Sequence, residues 1–294
     1  MQSKILKGSL LVAAGAASYG LLATFVKLAY QEGYSLAEVT ISQFVLGIVG
    51  LLILNTVIST KRASTSTPKS VAKLCIAGTS LGATSLFYYL SVQFIPVSVG
   101  IVLLMQTVWM GVVLEMLILK KFPSLLKSIS VTVILIGTVL ATNMLFDKKS
   151  IQWIGIFWGL MAALSYTISV FTTNKIGLEI HPLRRTLYML IGGFVVIGIV
   201  AIPSLMHKCD LSIFWSWGIL LALFGTILPP ILFSIGMPIT GLGLGAILSA
   251  VEIPVSVLMA FFLLDERIGV FQWLGIFLIL VTVIWMNIPR ASKG

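Results

Sequence analysis

Long uninterrupted apolar runs constrain this chain more than any other feature. From Leu211 to Val251 no residue is charged. Similar runs recur from end to end, each near the roughly 20 residues that a helix needs to cross a bilayer. Helices of a soluble core keep a polar face, and most of these runs have none. The 294 residues are 59% hydrophobic and only 10% charged, against about 25% charged in a soluble domain. That leaves too little polar surface to coat a soluble globule. Strands are disfavoured because barrel strands alternate polar and apolar side chains, and these runs do not.

Charges mark the boundaries of the runs. Lys7 and Lys27 bracket the first, Glu38 and Lys61 the second. The third follows Lys73 and ends near "QFIPVS"; the fourth runs from about Ser98 to Leu119. The fifth lies between Lys127 and Asp147, the sixth between Lys149 and Lys175, the seventh between Arg185 and His207. The stretch from Leu211 to Val251 is too long for one span, and the breakers of "GMPITGLG" (236–243) split it into an eighth and a ninth. The tenth covers about Val270 to Ile288. The pattern predicts an all-α membrane protein with ten transmembrane helices. The start, "MQSKILKGSLLVAAGAASYG", is basic and then apolar like a secretion signal. Its apolar run exceeds a signal core of about 7–15 residues, and many like it follow, so a retained first helix is expected.

Lysine and arginine collect on one side of such a fold. With the N-terminus in the cytoplasm, 14 of the 19 basic residues fall inside and 5 outside. Cytoplasmic loops carry that excess, so both termini are expected inside, in an inner membrane. The net charge of +10 forms no basic stripe interleaved with aromatics, which argues against nucleic acid as a partner. Cys75 and Cys209 make no disulfide framework or metal spacing. No Walker sequence, metal cluster or cofactor motif occurs. The largest polar insert, "STKRASTSTPKS" (59–70), is too short for a catalytic domain.

The two halves, 1–147 and 148–294, resemble each other. A shift of 147 lays "GAASYG" (15–20) on "AALSYT" (162–167), so Tyr19 meets Tyr166. A shift of 143 lays Gly82 on Gly225 and Ser91 on Ser234, and a shift of 146 lays Gln106 on Glu252. Five helices per half is an odd number, so the second half enters the membrane inverted. Inverted five-helix repeats are a design of secondary transporters, whose substrate site lies at the midplane between the repeats.

The segment "VEIPVSVLMAFFLLDERIGVFQWLG" (251–275) carries Glu-x-Pro, an acidic corner at Asp265-Glu266, and Gly275 in the tenth helix. With these residues the chain resembles the EamA-type permeases of the drug/metabolite transporter superfamily. The first-half echo, "MQTVWMGVVLEMLILKKFPS" (105–124), has Lys120-Lys121 in place of the acidic corner, and Gln43 stands near where many members carry Arg. The resemblance implies ten helices and export of small metabolites, often amino acids or organic cations.

Glu252 is the main candidate for function. Ten residues into the ninth helix, it lies about 15 Å deep, where a charge costs at least about 2.5–3.5 kcal/mol. A proton, a cationic partner or a polar cavity must offset that cost. Glu252 is therefore a candidate proton carrier or amine anchor, in preference to a protonated group that only ties two helices together. Gly245, Ser249, Glu252 and Ser256 form one small, polar face, and Pro254 removes a backbone hydrogen bond beside it. Gln106 and Trp109 lie one turn apart on the fourth helix, and Gln106 is expected to face Glu252. Ser85 and Tyr89 share a face of the third helix. With Tyr19 and Tyr166, these aromatics can cage an ammonium; ordinary packing is the alternative for each. Pro229 and Pro230 predict a hinge in the eighth helix. Trp153, Trp158, Trp215, Trp217 and Trp273 read as interface anchors, and Glu115 as a snorkelling group near Lys120. The expected partners are a small metabolite, protons as a coupling ion, and the lipid bilayer. The small-residue faces permit a homodimer without requiring one. The expected function is an alternating-access permease rather than an enzyme, the alternatives being a passive channel-like facilitator or a non-transporting scaffold.

Overall fold

A computed structural model describes residues 2–58, 67–95, 97–141, 152–205, 210–264 and 269–287. The acidic corner at Asp265-Glu266, most of the 59–70 insert, His207, Cys209 and the loop cations Lys61, Arg62, Lys148, Lys149, Lys208, Arg267, Arg290 and Lys293 lie outside the described residues.

The described residues are helical, with no strand. The first half contains α1 (Gln2–Gln31), α2 (Leu36–Val57), α3 (Pro68–Phe94), α4 (Val97–Leu104), α5 (Thr107–Leu119) and α6 (Leu125–Ala141). The second contains α7 (Trp153–Lys175), α8 (Pro182–Leu205), α9 (Trp217–Leu221), a π-helical turn (Ala222–Ile227), α10 (Leu228–Thr240), α11 (Leu242–Ser249), α12 (Glu252–Leu264) and α13 (Val270–Asn287). Among the described residues seven stretches are long and apolar enough to cross a membrane: Ser3–Gln31, Leu36–Val57, Pro68–Phe94, Trp153–Lys175, Pro182–Pro203, Trp217–Thr240 and Leu242–Leu264. The fourth, fifth and tenth predicted runs contain shorter apolar helices, Thr107–Leu119, Leu125–Leu140 and Val270–Thr282. In the fourth run the cause is a break at Met105–Gln106, which divides it into α4 and α5.

Polarity is reversed relative to a soluble protein. Ile76, Ile199, Phe262 and Phe277 are exposed, while Gln43, Thr186, Arg185 and Glu252 are buried. A soluble monomer rarely exposes apolar patches beyond a few hundred Å². Here the outward apolar side chains face the positions of lipid tails, and the polar groups seek partners inside.

Packing repeats between the halves. α3 runs along α7 and α8; α1 runs along α10, and α2 along α8 and the π turn. α4 and α5 meet α7, just as α11 and α12 meet α1. Exchanging each helix for its counterpart in the other half reproduces this set of contacts. Small residues allow the crossings, since apolar helices in lipid associate through close packing. A Cβ on Gly78 would overlap the Met189 carbonyl, and one on Gly82 would overlap that of Gly193. At the equivalent crossing Gly47 lies against Thr226, and Gly225 against Gln43.

Two charged boundary residues of the sequence reading are interior. Glu38 is buried at the start of α2, where it forms a capping box with Ser35. Arg185, counted above among the loop cations, is 2% exposed and donates to the Thr173 carbonyl at the end of α7. Glu115 pairs with Lys127 on α6 at 2.6 Å, not with Lys120. Trp153, Trp215 and Trp273 are exposed as interface anchors would be. Trp158 instead stacks on Phe87 with ring centroids 5.5 Å apart, and Trp217 bonds Glu32.

Candidate functional site

The fourth predicted run of each half is a broken helix. In the second half the break spans Ala250 and Val251. Pro254 has no N–H to give to the Ala250 carbonyl, which accepts from Ile253 instead at 3.1 Å. The chain tightens through this turn, with Val251 N–H bonded to the Leu248 carbonyl at 3.2 Å. α12 then starts at Glu252. The first half breaks at the matching place, Met105–Gln106, where Val108 N–H bonds the Met105 carbonyl at 3.0 Å. No proline occurs there. α5 is held by a buried hydroxyl pair, Thr107 to Thr167 on α7, at 2.7 Å.

Irregular backbone at membrane depth is tolerated where it is buried in protein or lines a cavity. A cavity of about 50 Å³ adjoins the second break, lined by Tyr19 and Ala23 of α1, Ser85, Tyr88 and Tyr89 of α3, Leu104 of α4, Tyr166 of α7 and Glu252. That volume holds a few waters and is far below the roughly 300 Å³ of small-molecule pockets, so the site is narrow around its polar groups. Gly20 lets α1 approach: a Cβ there would sit 2.7 Å from the Glu252 carbonyl oxygen. Its neighbour Tyr19 thereby reaches the carboxylate side of the cavity.

Four tyrosines surround one carboxyl group. Tyr19 meets Tyr166 edge-on, with centroids 6.2 Å apart and planes at 89°, and meets Phe233 at 5.7 Å. Tyr88 and Tyr89 lie 6.0 Å apart. Tyr89 donates to Gln43 Oε1 at 2.8 Å. The hydroxyls of Tyr88 and Tyr166 and Oε2 of Glu252 are buried without a hydrogen bond. Tyr166 faces Ser249 but falls short of bonding geometry. Buried polar groups are almost always paired, with protein or with ordered water, and these three adjoin a cavity with room for a few waters.

The structure brings together five of the residues singled out from sequence: Glu252, Tyr19, Tyr166, Ser85 and Tyr89. Gln106 and Trp109 do not join them. The Trp109 indole donates to Gln106 Oε1 at 2.8 Å, Trp109 is 38% exposed, and neither residue lines the cavity. Ser249 and Ser256 are buried but do not line the cavity; the helix break separates Ser249 from Glu252. Ser249 bonds back to the Gly245 carbonyl at 3.0 Å, and Gly245 packs on Met237. Pro254 lies in the first turn of α12. Pro229 and Pro230 open α10 directly after the π turn, where Leu228 N–H reaches back five residues to Leu223. Such π turns concentrate at functional sites. Sequence reasoning missed Tyr88 as a lining residue and Gln43 as its neighbour's partner. A polar Gln at 43 inside an apolar run was the available signal.

Among the described residues no His, Cys, Asp or Glu group could hold a metal ion. The model of the EamA-like transporter family matches residues 6–143 and again 153–288. A solved structure described only as "Crystal structure of protein" has TM-score 0.76 to this chain at 12% identity, covering 94% of this chain and 98% of that one. A search of curated proteins returns no significant match.

Proposed function

Because this chain belongs to the EamA-like transporter family, within the drug/metabolite transporter superfamily, we propose that it is a secondary transporter moving a small organic solute across the cytoplasmic membrane by alternating access. The solute carries an amine, as an amino acid or an organic amine does, and export is the direction that the resemblance implies. The proposed topology is ten spans in two inverted five-helix repeats, 1–147 and 148–294, with both termini cytoplasmic. The exchangeable packing of the halves and the matching breaks in their fourth helices support it.

One observation carries the reading. The Glu252 carboxyl group, with one oxygen unbonded, faces a narrow cavity walled by four tyrosines. A carboxylate anchors an ammonium group, and aromatic faces add cation–π attraction of about 0.5–2 kcal/mol. The same carboxyl group can hold a proton in the return step. Both roles fit a site that must be neutralised before it closes.

Counterflow in proteoliposomes tests this function directly. Vesicles loaded with the transported amine should accumulate labelled amine transiently against its gradient. A pore gives equilibration without overshoot, and a scaffold gives no flux. Tyr88→Phe probes the wall. It removes an unbonded buried hydroxyl and keeps the ring. Thermal stability should hold or rise, by up to about 1–3 kcal/mol, while KM for the amine rises about tenfold through loss of one hydrogen bond to the guest. A fall in stability with unchanged KM would give Tyr88 a structural role only.

A further inference from the structure

Two sets of polar contacts join the halves, one at each end of the bundle. At one end Trp217 Nε1 donates to Glu32 Oε2 at 2.7 Å, and the Tyr34 hydroxyl lies 2.7 Å from Ser212 Oγ. Beside them Asp210 N–H donates to Glu38 Oε1 at 2.6 Å. At the other end the Ser70 hydroxyl donates to Glu179 Oε1 at 2.9 Å. Each bond runs from the first half to the second.

These positions correspond. The shift of 147 that lays Tyr19 on Tyr166 also lays Glu32 on Glu179, and the shift of 143 that aligns the third spans lays Ser70 on Ile213, one turn before Trp217. Each half thus offers an acid just after its first helix. Each acid accepts a hydrogen from the start of the other half's third span. The two ends use related contacts with the halves exchanged, offset by one turn on the donor helix. Glu38 and Arg185 also correspond under the shift of 147. Glu38 adds a bond between the halves, whereas Arg185 bonds Thr173 within its own half. With both sets made, the central cavity is only about 50 Å³.

We propose that these contacts are paired latches of the transport cycle: Glu32–Trp217, Tyr34–Ser212 and Glu38–Asp210 close the outer end, Ser70–Glu179 closes the inner end, and each end opens only when its own latch parts. This rests on the transporter reading and adds the residues that position the halves. The bonds suit the task because they lie at the surface, apart from the partly buried one at Glu38. Net strengths near those of ordinary hydrogen bonds let a bound solute shift the balance. Glu179 is held below the usual carboxylate range by its own backbone N–H and the Ser70 hydroxyl, opposed by slight burial and helped by Lys73 and Arg185. Its acceptor is therefore charged at neutral pH, and the inner bond weakens only as pH falls through that lowered value.

Thiol labelling tests the latches without a known substrate. Cys75 and Cys209 are replaced by Ser, and Ser85→Cys places a thiol in the cavity. A membrane-impermeant maleimide is applied to right-side-out and to inside-out vesicles. Trp217→Phe with Tyr34→Phe should raise labelling from outside about fivefold or more and lower it from inside. Ser70→Ala with Glu179→Ala should do the reverse. Trp217→Phe keeps a ring against Phe25, which limits folding defects. As a second measure, Tyr34→Cys with Ser212→Cys joined by a bis-maleimide should block outside labelling. Changes in the same direction for both variants, or no change in either, overturn the proposal. Opposed labelling changes without counterflow would leave the latches standing and remove the transporter reading; counterflow with unresponsive labelling would do the opposite.

Discussion

Glu252→Gln is expected to reduce amine counterflow at least about tenfold, to background, while membrane abundance and monodispersity stay unchanged. The substitution is nearly isosteric, so the cavity keeps its shape and α12 keeps its start. What it removes is the charge proposed to anchor an ammonium and the proposed proton site. A hydrogen bond to a charged group is worth about 1.5–3 kcal/mol, which as binding free energy is about tenfold to more than a hundredfold. Stability should hold or rise, because a buried ionisable group without a full set of partners costs free energy. Glu252 is 5% exposed, and one of its oxygens is unbonded. Flux at the original rate through purified Glu252→Gln protein would remove this residue from the mechanism.

The second large effect is structural. Gly78→Ala with Gly82→Ala should lower the melting temperature of the detergent-solubilised protein by about 5 °C or more, on the order of 1–3 kcal/mol for each strained contact. Each added methyl would overlap a backbone carbonyl of α8, at Met189 and Gly193, and backbone cannot turn aside as a side chain can. α3 would have to move away from α8, carrying Ser85, Tyr88 and Tyr89 with it. Transport should therefore fall together with stability. Gly198→Ala on the same α8 is the control. Its Cβ would meet only the end of Ile202, at an ordinary 3.4 Å, and little change is expected. Equal melting temperatures for the double variant and the control would show that the α3–α8 crossing is looser than described.

The site was legible where a residue's chemistry contradicts its surroundings. Glu252 stands out because hydrocarbon rejects a charge, wherever the helix happens to face. Tyr19 and Tyr166 emerged through the repeat offset, and their rings touch. Tyr88 gave no such signal, since a tyrosine beside another tyrosine serves equally for packing. Gln106 was singled out through the same repeat correspondence, and it does not line the cavity. Repeat correspondence carries the backbone break faithfully from one half to the other, and the Trp109 indole one turn away donates to the Gln106 side chain. Pro254 announced the break in the second half. The matching break at Met105–Gln106 has no proline and depends on how α5 is anchored to α7 through Thr107 and Thr167.

Sequence alone determined that this is a helical membrane protein made of two related halves with one acid deep among apolar residues. Apolar length, charge spacing and internal repetition are properties of the chain itself, and the bilayer demands the first of any spanning helix. Only the tertiary structure decided which polar groups share a cavity, where Arg185 and Glu38 are buried, and which residues tie the halves together at either end. Lipid and protein interior are equally apolar, so hydrophobicity along a helix does not report which face turns inward. That choice is made by contacts between helices distant in sequence, such as Gly78 on Met189 and Trp217 on Glu32.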